Sequence, residues 1–195
     1  MAILYVRIPE ERVGVVIGPG GATKRSIEER TGAVLEIEAA EGTVVVRSDD
    51  SGDPIGAMRA RDIVLAIGRG FSPERAARLL KEDTYLGVID IKRVTGRKEK
   101  AALWRVRSRL IGTKGRARER IEELSGASVS VFGSTVALIG LEKQLVSATR
   151  AVELLLRGSE HSVVFHMLAR MRRDQAAEAE ITPLEGVTDL SGEGE

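Results

Sequence analysis

The sequence predicts a mixed α/β (α+β) protein made of two tandem copies of one β-α-α-β-β-α unit, each a three-stranded sheet covered by helices and followed by an extra closing helix. Three observations carry this. Residues 17–37, IGPGGATKRSIEERTGAVLEI, and 111–131, IGTKGRARERIEELSGASVSV, align without a gap at a constant offset of 94 residues. Ile17 falls on Ile111, Gly18 on Gly112, Gly21 on Gly115, Ile27 on Ile121 and Gly32-Ala33 on Gly126-Ala127. Such a match marks a duplicated structural unit. Around each copy the hydrophobic period changes between strand and helix in the same order. Finally, 195 residues divide into two halves, each long enough for a small core.

In the first copy, residues 2–8, AILYVRI, are apolar enough for a strand. Pro9-Glu10-Glu11 opens a helix, with proline and acids where an N-terminus favours them. It runs through Val13, Val16 and Ile17 to the glycine loop. A second helix spans about 22–31 and ends at Thr31-Gly32. AVLEIE (33–38) and TVVVRS (43–48) read as strands joined by a short acidic turn. A helix follows from Pro54 to about Ile67, with Met58, Ile63, Val64 and Ile67 as its expected buried positions. Gly68-Arg69-Gly70 breaks it, and Ser72-Pro73-Glu74 begins a closing helix through Ala76, Leu79 and Leu80.

The second copy starts with a strand at about 85–94, YLGVIDIKRV, and a helix near 98–110. The motif helix covers about 116–125, with Ile121 and Leu124 on its apolar face. Strands follow at 127–132 and 135–140, then an amphipathic helix over 141–156. Arg157-Gly158 occupies the place of Arg69-Gly70, so a terminal helix over 159–173 belongs to the repeat. The boundaries this predicts are 1–83, 84–173 and a loosely ordered acidic tail over 174–195.

Composition narrows the function. There is no cysteine, which excludes disulfides and thiolate metal sites. The absence of asparagine, together with 30% charged residues, suits a thermophile's intracellular protein. No run approaches the ~18 apolar residues of a membrane helix, and the N-terminus does not resemble a signal peptide. A cytoplasmic location is expected. The net charge of +1 hides a segregation: residues 1–96 carry −1, residues 97–173 carry +9 and residues 174–195 carry −7. A strongly positive half is the footprint of a polyanionic partner. The acidic end is either a solvated tail or a competitor for the basic half.

The chemistry-bearing candidates are the two glycine loops. In Gly112-Thr113-Lys114-Gly115 the glycines let backbone approach a ligand closely. Lys114 and the start of the next helix favour a phosphate there. The bland alternative is a helical corner at which glycine only permits the bend. Around this loop cluster Arg105, Arg107, Arg109, Arg116, Arg118 and Arg120. The first loop, Gly18-Pro19-Gly20-Gly21, has no lysine within it, and Pro19 has no N–H to offer. Trp104 reads as a base-stacking residue or as a buried anchor for its helix.

The β-α-GxxG-α-β-β-α order, with I-G-x-x-G opening a helix, resembles the KH domain of type I. That resemblance covers most of 1–173. KH domains clamp about four nucleotides of single-stranded nucleic acid at the GxxG loop. The resemblance implies that Gly112, Thr113, Lys114 and Gly115 hold the sugar-phosphates. Ile111, Val129 and Val131 would floor a groove for bases, Arg118 would face a phosphate or base edge, and neighbouring Arg116 joins the expected interface. The matching positions in the first copy are Ile17, Gly18, Pro19, Gly20, Gly21, Leu35, Ile37 and Lys24; its role is expected to be secondary or chiefly structural. With the closing HSVVFHMLARMRR segment, the chain is similar to an archaeal tandem KH family related to the eukaryotic small-subunit assembly factor called partner of Nob. This implies an RNA-binding protein acting at the 3′ region of the small-subunit (16S) ribosomal RNA precursor. Its implied partners are the PIN-domain endonuclease of the Nob type and the dimethyladenosine transferase.

Neither loop is G-x-x-x-x-G-K-[ST] or G-x-G-x-x-G. His161 and His166 are five apart, without H-E-x-x-H, and read as surface or packing residues. Glu28-Glu29 and Glu122-Glu123 read as helix-capping or solvated carboxylates. No enzymatic activity, cofactor or metal is expected. The alternatives to ribosome assembly are a general KH protein of RNA turnover and a docking module for the endonuclease; double-helical DNA binding is weaker still.

Overall fold

The computed structural model describes residues 3–48, 54–96 and 99–181. The first copy comprises β1 (Ile3–Arg7), α1 (Glu10–Ile17), α2 (Ala22–Thr31), β2 (Ala33–Glu38), β3 (Thr43–Ser48), α3 (Pro54–Gly68) and α4 (Pro73–Ala76). The second comprises β4 (Tyr85–Asp90), α5 (Ile91–Thr95), α6 (Lys100–Ile111), α7 (Arg116–Ser125), β5 (Ser128–Phe132), β6 (Thr135–Gly140), α8 (Glu142–Arg157) and α9 (His161–Ile181). Each copy has a three-stranded antiparallel sheet, in the orders β1-β3-β2 and β4-β6-β5. The expected fold class therefore stands.

Local chemistry explains most boundaries. Gly32 and Gly126 end α2 and α7 in the left-handed region, at φ 68° and 76°. Glu28 Oε1 accepts from Leu35 N at 2.8 Å, and Glu122 Oε1 from Val129 N at 2.6 Å. The duplicated glutamates therefore tie each motif helix to the strand that follows, a more specific role than capping or solvation.

Several expectations need correction. The strand at 85–94 stops at Asp90, whose carboxylate accepts from Lys92 N (2.7 Å) and Arg93 N (3.2 Å) and starts α5. An N-cap bond of this kind overrides the alternating pattern of IDIKRV. Met58 is 52% exposed, so it is not a core position. After α4 the chain tightens into a 3-10 turn, Ala77–Leu80, rather than continuing as α-helix. The terminal helix passes residue 173 and continues to Ile181. Its end is held on α8 by Lys143 Nζ–Glu178 Oε2 (2.9 Å) and by Gln175 Nε2 donating to Ser147 Oγ (3.1 Å). The rest of the expected acidic tail, 182–195, lies outside the described residues.

The two copies pack against each other through β6. Val136 and Leu138 belong to the second copy's own core, whereas Ala137 and Ile139 join the first copy's cluster with Phe71 and Leu79. Polar contacts border this seam. Arg75 reaches Glu122, Arg78 donates to Ser128 Oγ, and Ser130 Oγ donates to the Arg69 carbonyl at 3.0 Å. Arg12 donates to the Ile67 and Phe71 carbonyls at 2.8 and 2.7 Å and lies 5.6 Å from the Phe132 ring centre. Burial lowers the Arg12 pKa from its ordinary value, and nearby Glu11 opposes that shift. The helix-free face of the second sheet is thus covered by the first copy.

Candidate nucleic-acid interface

The loop between α6 and α7 has a defined backbone. Gly112 sits at φ 73°, ψ 176°, Lys114 at φ 55°, ψ 27°, and Gly115 at φ 82°, ψ 1°. Gly112 N donates to Ser108 O (2.8 Å) and Gly115 N to Gly112 O (3.2 Å). Thr113 and Lys114 open a helical turn, where N–H groups have no partner within the helix. Both residues are exposed, and α7 begins just beyond them. The arrangement has the chemistry to seat a small anion: two backbone donors, a lysine and a helix N-terminus.

The first loop repeats this path, with Gly18 at φ 73°, ψ 173°, Gly20 at φ 54°, ψ 23°, and Gly21 at φ 80°, ψ 12°. Pro19 leaves the conformation intact but removes the donor that Thr113 supplies. Gly20 adopts the left-handed turn at little cost, whereas Lys114 holds the same turn at a cost of ~1–2 kcal/mol. Lys114 and Asp83 have positive φ among the described non-glycine residues. Strain of this kind concentrates where a side chain has work to do.

The structure sorts the remaining candidates. Arg116 is exposed; Arg118 is half-exposed, 3.6 Å from Glu119. Lys24, the first-copy counterpart of Arg118, lies 3.8 Å from Glu28. Ile111 and Ile17 are half-buried beside their loops, as are Val131 and Ile37 on the strands. Val129 is different: it is 1% exposed, inside the second core, and Leu35 is likewise buried in the first. Their side chains face the helices of their own copy and offer nothing to a base, so Val129 leaves the candidate floor.

Two further residues differ from the sequence-based view. Trp104 is 65% exposed, so it is not a buried anchor. Arg109 is committed to structure, donating to the carbonyls of Gly158 (3.1 Å) and Ser159, while His161 Nε2 donates to the Arg109 carbonyl at 2.9 Å. Nothing in the residue types distinguished Arg109 from its exposed neighbour Arg105; only the placement of α9 does.

A duplicated β-α-α-β-β-α unit with a GxxG loop between its first two helices defines a tandem type I KH protein, an RNA-binding and non-enzymatic class. Residues 85–173 match the family described as eukaryotic type KH-domain (KH-domain type I), and residues 3–66 match the KH domain family. A KH domain-containing protein of Methanocaldococcus jannaschii is 43% identical over 173 residues, covering 88% of this chain and 75% of that protein. Dim2p from Pyrococcus horikoshii superposes with a TM-score of 0.82 at 50% identity, covering 87% of this chain and 99% of the other. The a/eIF2alpha-aDim2p-rRNA complex from the same organism contains a chain that matches with a TM-score of 0.84 at 49% identity, over 89% and 95% of the two chains. A protein of unknown function from Aeropyrum pernix matches at 0.88 and 38% identity, over 92% and 95%. The chain belongs to the archaeal tandem KH-domain family related to the eukaryotic factor partner of Nob.

Proposed function

We propose that this protein binds single-stranded RNA through the loop of its second copy, and that its target is the 3′ region of the small-subunit ribosomal RNA precursor during ribosome assembly. One observation carries the assignment to that copy: Lys114 occupies a left-handed backbone position that the sister loop gives to Gly20. A neighbour crystallised in a complex with rRNA supports the class of ligand. Gly112–Gly115 hold the sugar-phosphates, with Arg116 and Arg118 extending the contact along the backbone. Ile111 and Val131 supply the apolar edge for bases. The first copy is chiefly structural, covering the second sheet and contributing weakly through Gly18, Pro19, Gly20, Gly21, Ile17 and Lys24. The protein works in the cytoplasm beside a PIN-domain endonuclease of the Nob type and the dimethyladenosine transferase.

Paired aspartates in each loop test the assignment. Thr113→Asp with Lys114→Asp places two negative charges at the phosphate seat, while aspartate tolerates the left-handed turn. Affinity for single-stranded RNA is expected to fall at least a hundredfold, ~2.7 kcal/mol. Pro19→Asp with Gly20→Asp should reduce it less than fivefold. If the first-copy pair does the greater damage, the roles of the copies are reversed. Retained binding by both variants would reject the loops as the RNA clamp.

A further inference from the structure

We propose that a second groove, on the far side of the same loop, receives the next nucleotide of the bound strand; the inference rests on RNA binding at Gly112–Gly115. Along α7, Arg118 and Glu122 lie on the flank next to β5, to which Glu122 is bonded. Arg116 and Arg120 lie about 200° round the helix from that flank. There, together with Ser108, Thr113, His161 and Phe165, they line an open cavity of about 730 Å³ that abuts the loop at Gly112. A strand crossing the loop from the β5 side passes directly into it.

The chemistry of the lining fits a nucleotide. Arg116 and Arg120 are exposed cations that can turn to a backbone phosphate, Arg120 from a surface pair with Glu123 at 2.7 Å. Phe165 is half-buried, packed on the core and open to the cavity, so its ring is a firm surface for a base. His161 stands 5.9 Å from Phe165 between ring centres, and its Nε2–H is committed to the Arg109 carbonyl. That leaves Nδ1 as an acceptor, the complement of a base amino group. Trp104 lies one turn up α6 from Ser108 on the same face and continues the path.

The duplication supplies an internal comparison. Helices α4 and α9 both begin three residues after a matched glycine, Gly70 and Gly158, and both bury the same position, Ala76 and Val164. With that register, Arg116, Arg120, His161 and Phe165 correspond to Ala22, Ser26, Pro73 and Ala77. The first copy's equivalent cavity is about 300 Å³ and has one cation, Arg30, and one acid, Glu74, on its wall. One fold thus carries two versions of the place, cationic and aromatic beside Lys114, smaller, charge-balanced and without an aromatic ring in the first copy.

The test uses the full chain with random-sequence RNA of four and of eight nucleotides. Wild-type protein should bind the longer RNA more tightly. Arg120→Ser with Phe165→Leu keeps an apolar side chain on the core. It should weaken eight-nucleotide binding roughly tenfold, the effect of one lost stack, and leave the four-nucleotide affinity unchanged. In the wild type, photo-crosslinks from 4-thiouridine in the longer RNA should reach residues 161–170. Unchanged eight-nucleotide affinity in the variant would overturn the groove while leaving the loop reading intact. Equal loss for both lengths would overturn it too, because the pair would then act on the loop itself. If the wild type binds neither RNA, or if Lys114→Asp has no effect on either length, the loop reading fails and this inference fails with it.

Discussion

The two glycines of the second loop should respond unequally to alanine, although both have positive φ. At Gly115, an added Cβ would meet nothing nearer than Glu119 Oε1 at 3.5 Å. The substitution there costs the left-handed strain of ~1–2 kcal/mol, partly offset by ~0.4–1 kcal/mol from a stiffer unfolded chain. A net loss of about 1 kcal/mol is expected. At Gly112, φ 73° with ψ 176° lies in a region that is essentially glycine-only, at ~1–3 kcal/mol. The new Cβ would also lie 2.6 Å from Ala117 Cβ and 2.9 Å from Ala117 N. Backbone cannot move aside as a flexible side chain can, so overpacking adds ~1–3 kcal/mol. Gly112→Ala should therefore destabilise by about 2–6 kcal/mol. The first copy offers a replicate, because Cβ at Gly18 would fall 2.2 Å from Thr23 Oγ1 and 2.8 Å from Thr23 N, and Gly21 meets only Arg25 at 3.2 Å. Urea denaturation of the four single variants measures the difference. If Gly112→Ala and Gly115→Ala agree within about 0.5 kcal/mol, the steric account of the loop is refuted.

Other consequences follow from named contacts. If Lys114, Arg116 and Arg118 each neutralise one phosphate, the logarithm of RNA affinity should fall with the logarithm of salt at a slope of about −2. A titration between 50 and 200 mM salt, with a loss of about tenfold or more, checks this; a flat response contradicts the phosphate seat. Arg12→Lys replaces a fork that reaches two carbonyls with a single ammonium, and stability should fall by ~1.5–3 kcal/mol in denaturant. Arg109→Ala should expose the start of α9, raising amide exchange at residues 164–168. Arg105→Ala, on an exposed side chain, should stay within about ±0.5 kcal/mol of wild type.

The duplication made the fold legible. A gapless 94-residue offset places two glycine loops, two motif helices and the first strand after each, and AVLEIE and TVVVRS coincide with β2 and β3. Other features depend on contacts that a one-dimensional pattern does not carry. IDIKRV alternates like a strand, yet the Asp90 carboxylate captures two N–H groups and turns the chain into α5. Val129 and Val131 share a face of β5, but whether that face looks to the core or to a groove depends on the helices laid across it. Trp104 looked like an anchor because tryptophan is costly to expose, and α6 buries Leu103, Val106 and Leu110 instead. The helix end beyond Arg173 follows from Lys143 and Ser147 on α8, residues about 30 positions away in sequence. The interface itself was half legible: the GxxG spacing and the surrounding basic residues named the loop, but not which arginines were already committed to carbonyls.

The most direct test of the central claim is ultraviolet crosslinking of the protein to total RNA from its own cells, with both sides of each crosslink identified. Crosslinked peptides spanning Gly112–Arg118, joined to sequences from the 3′ end of small-subunit ribosomal RNA, are the predicted result. Crosslinks concentrated at residues 17–24 of the first copy, or a protein that captures no RNA, would contradict it.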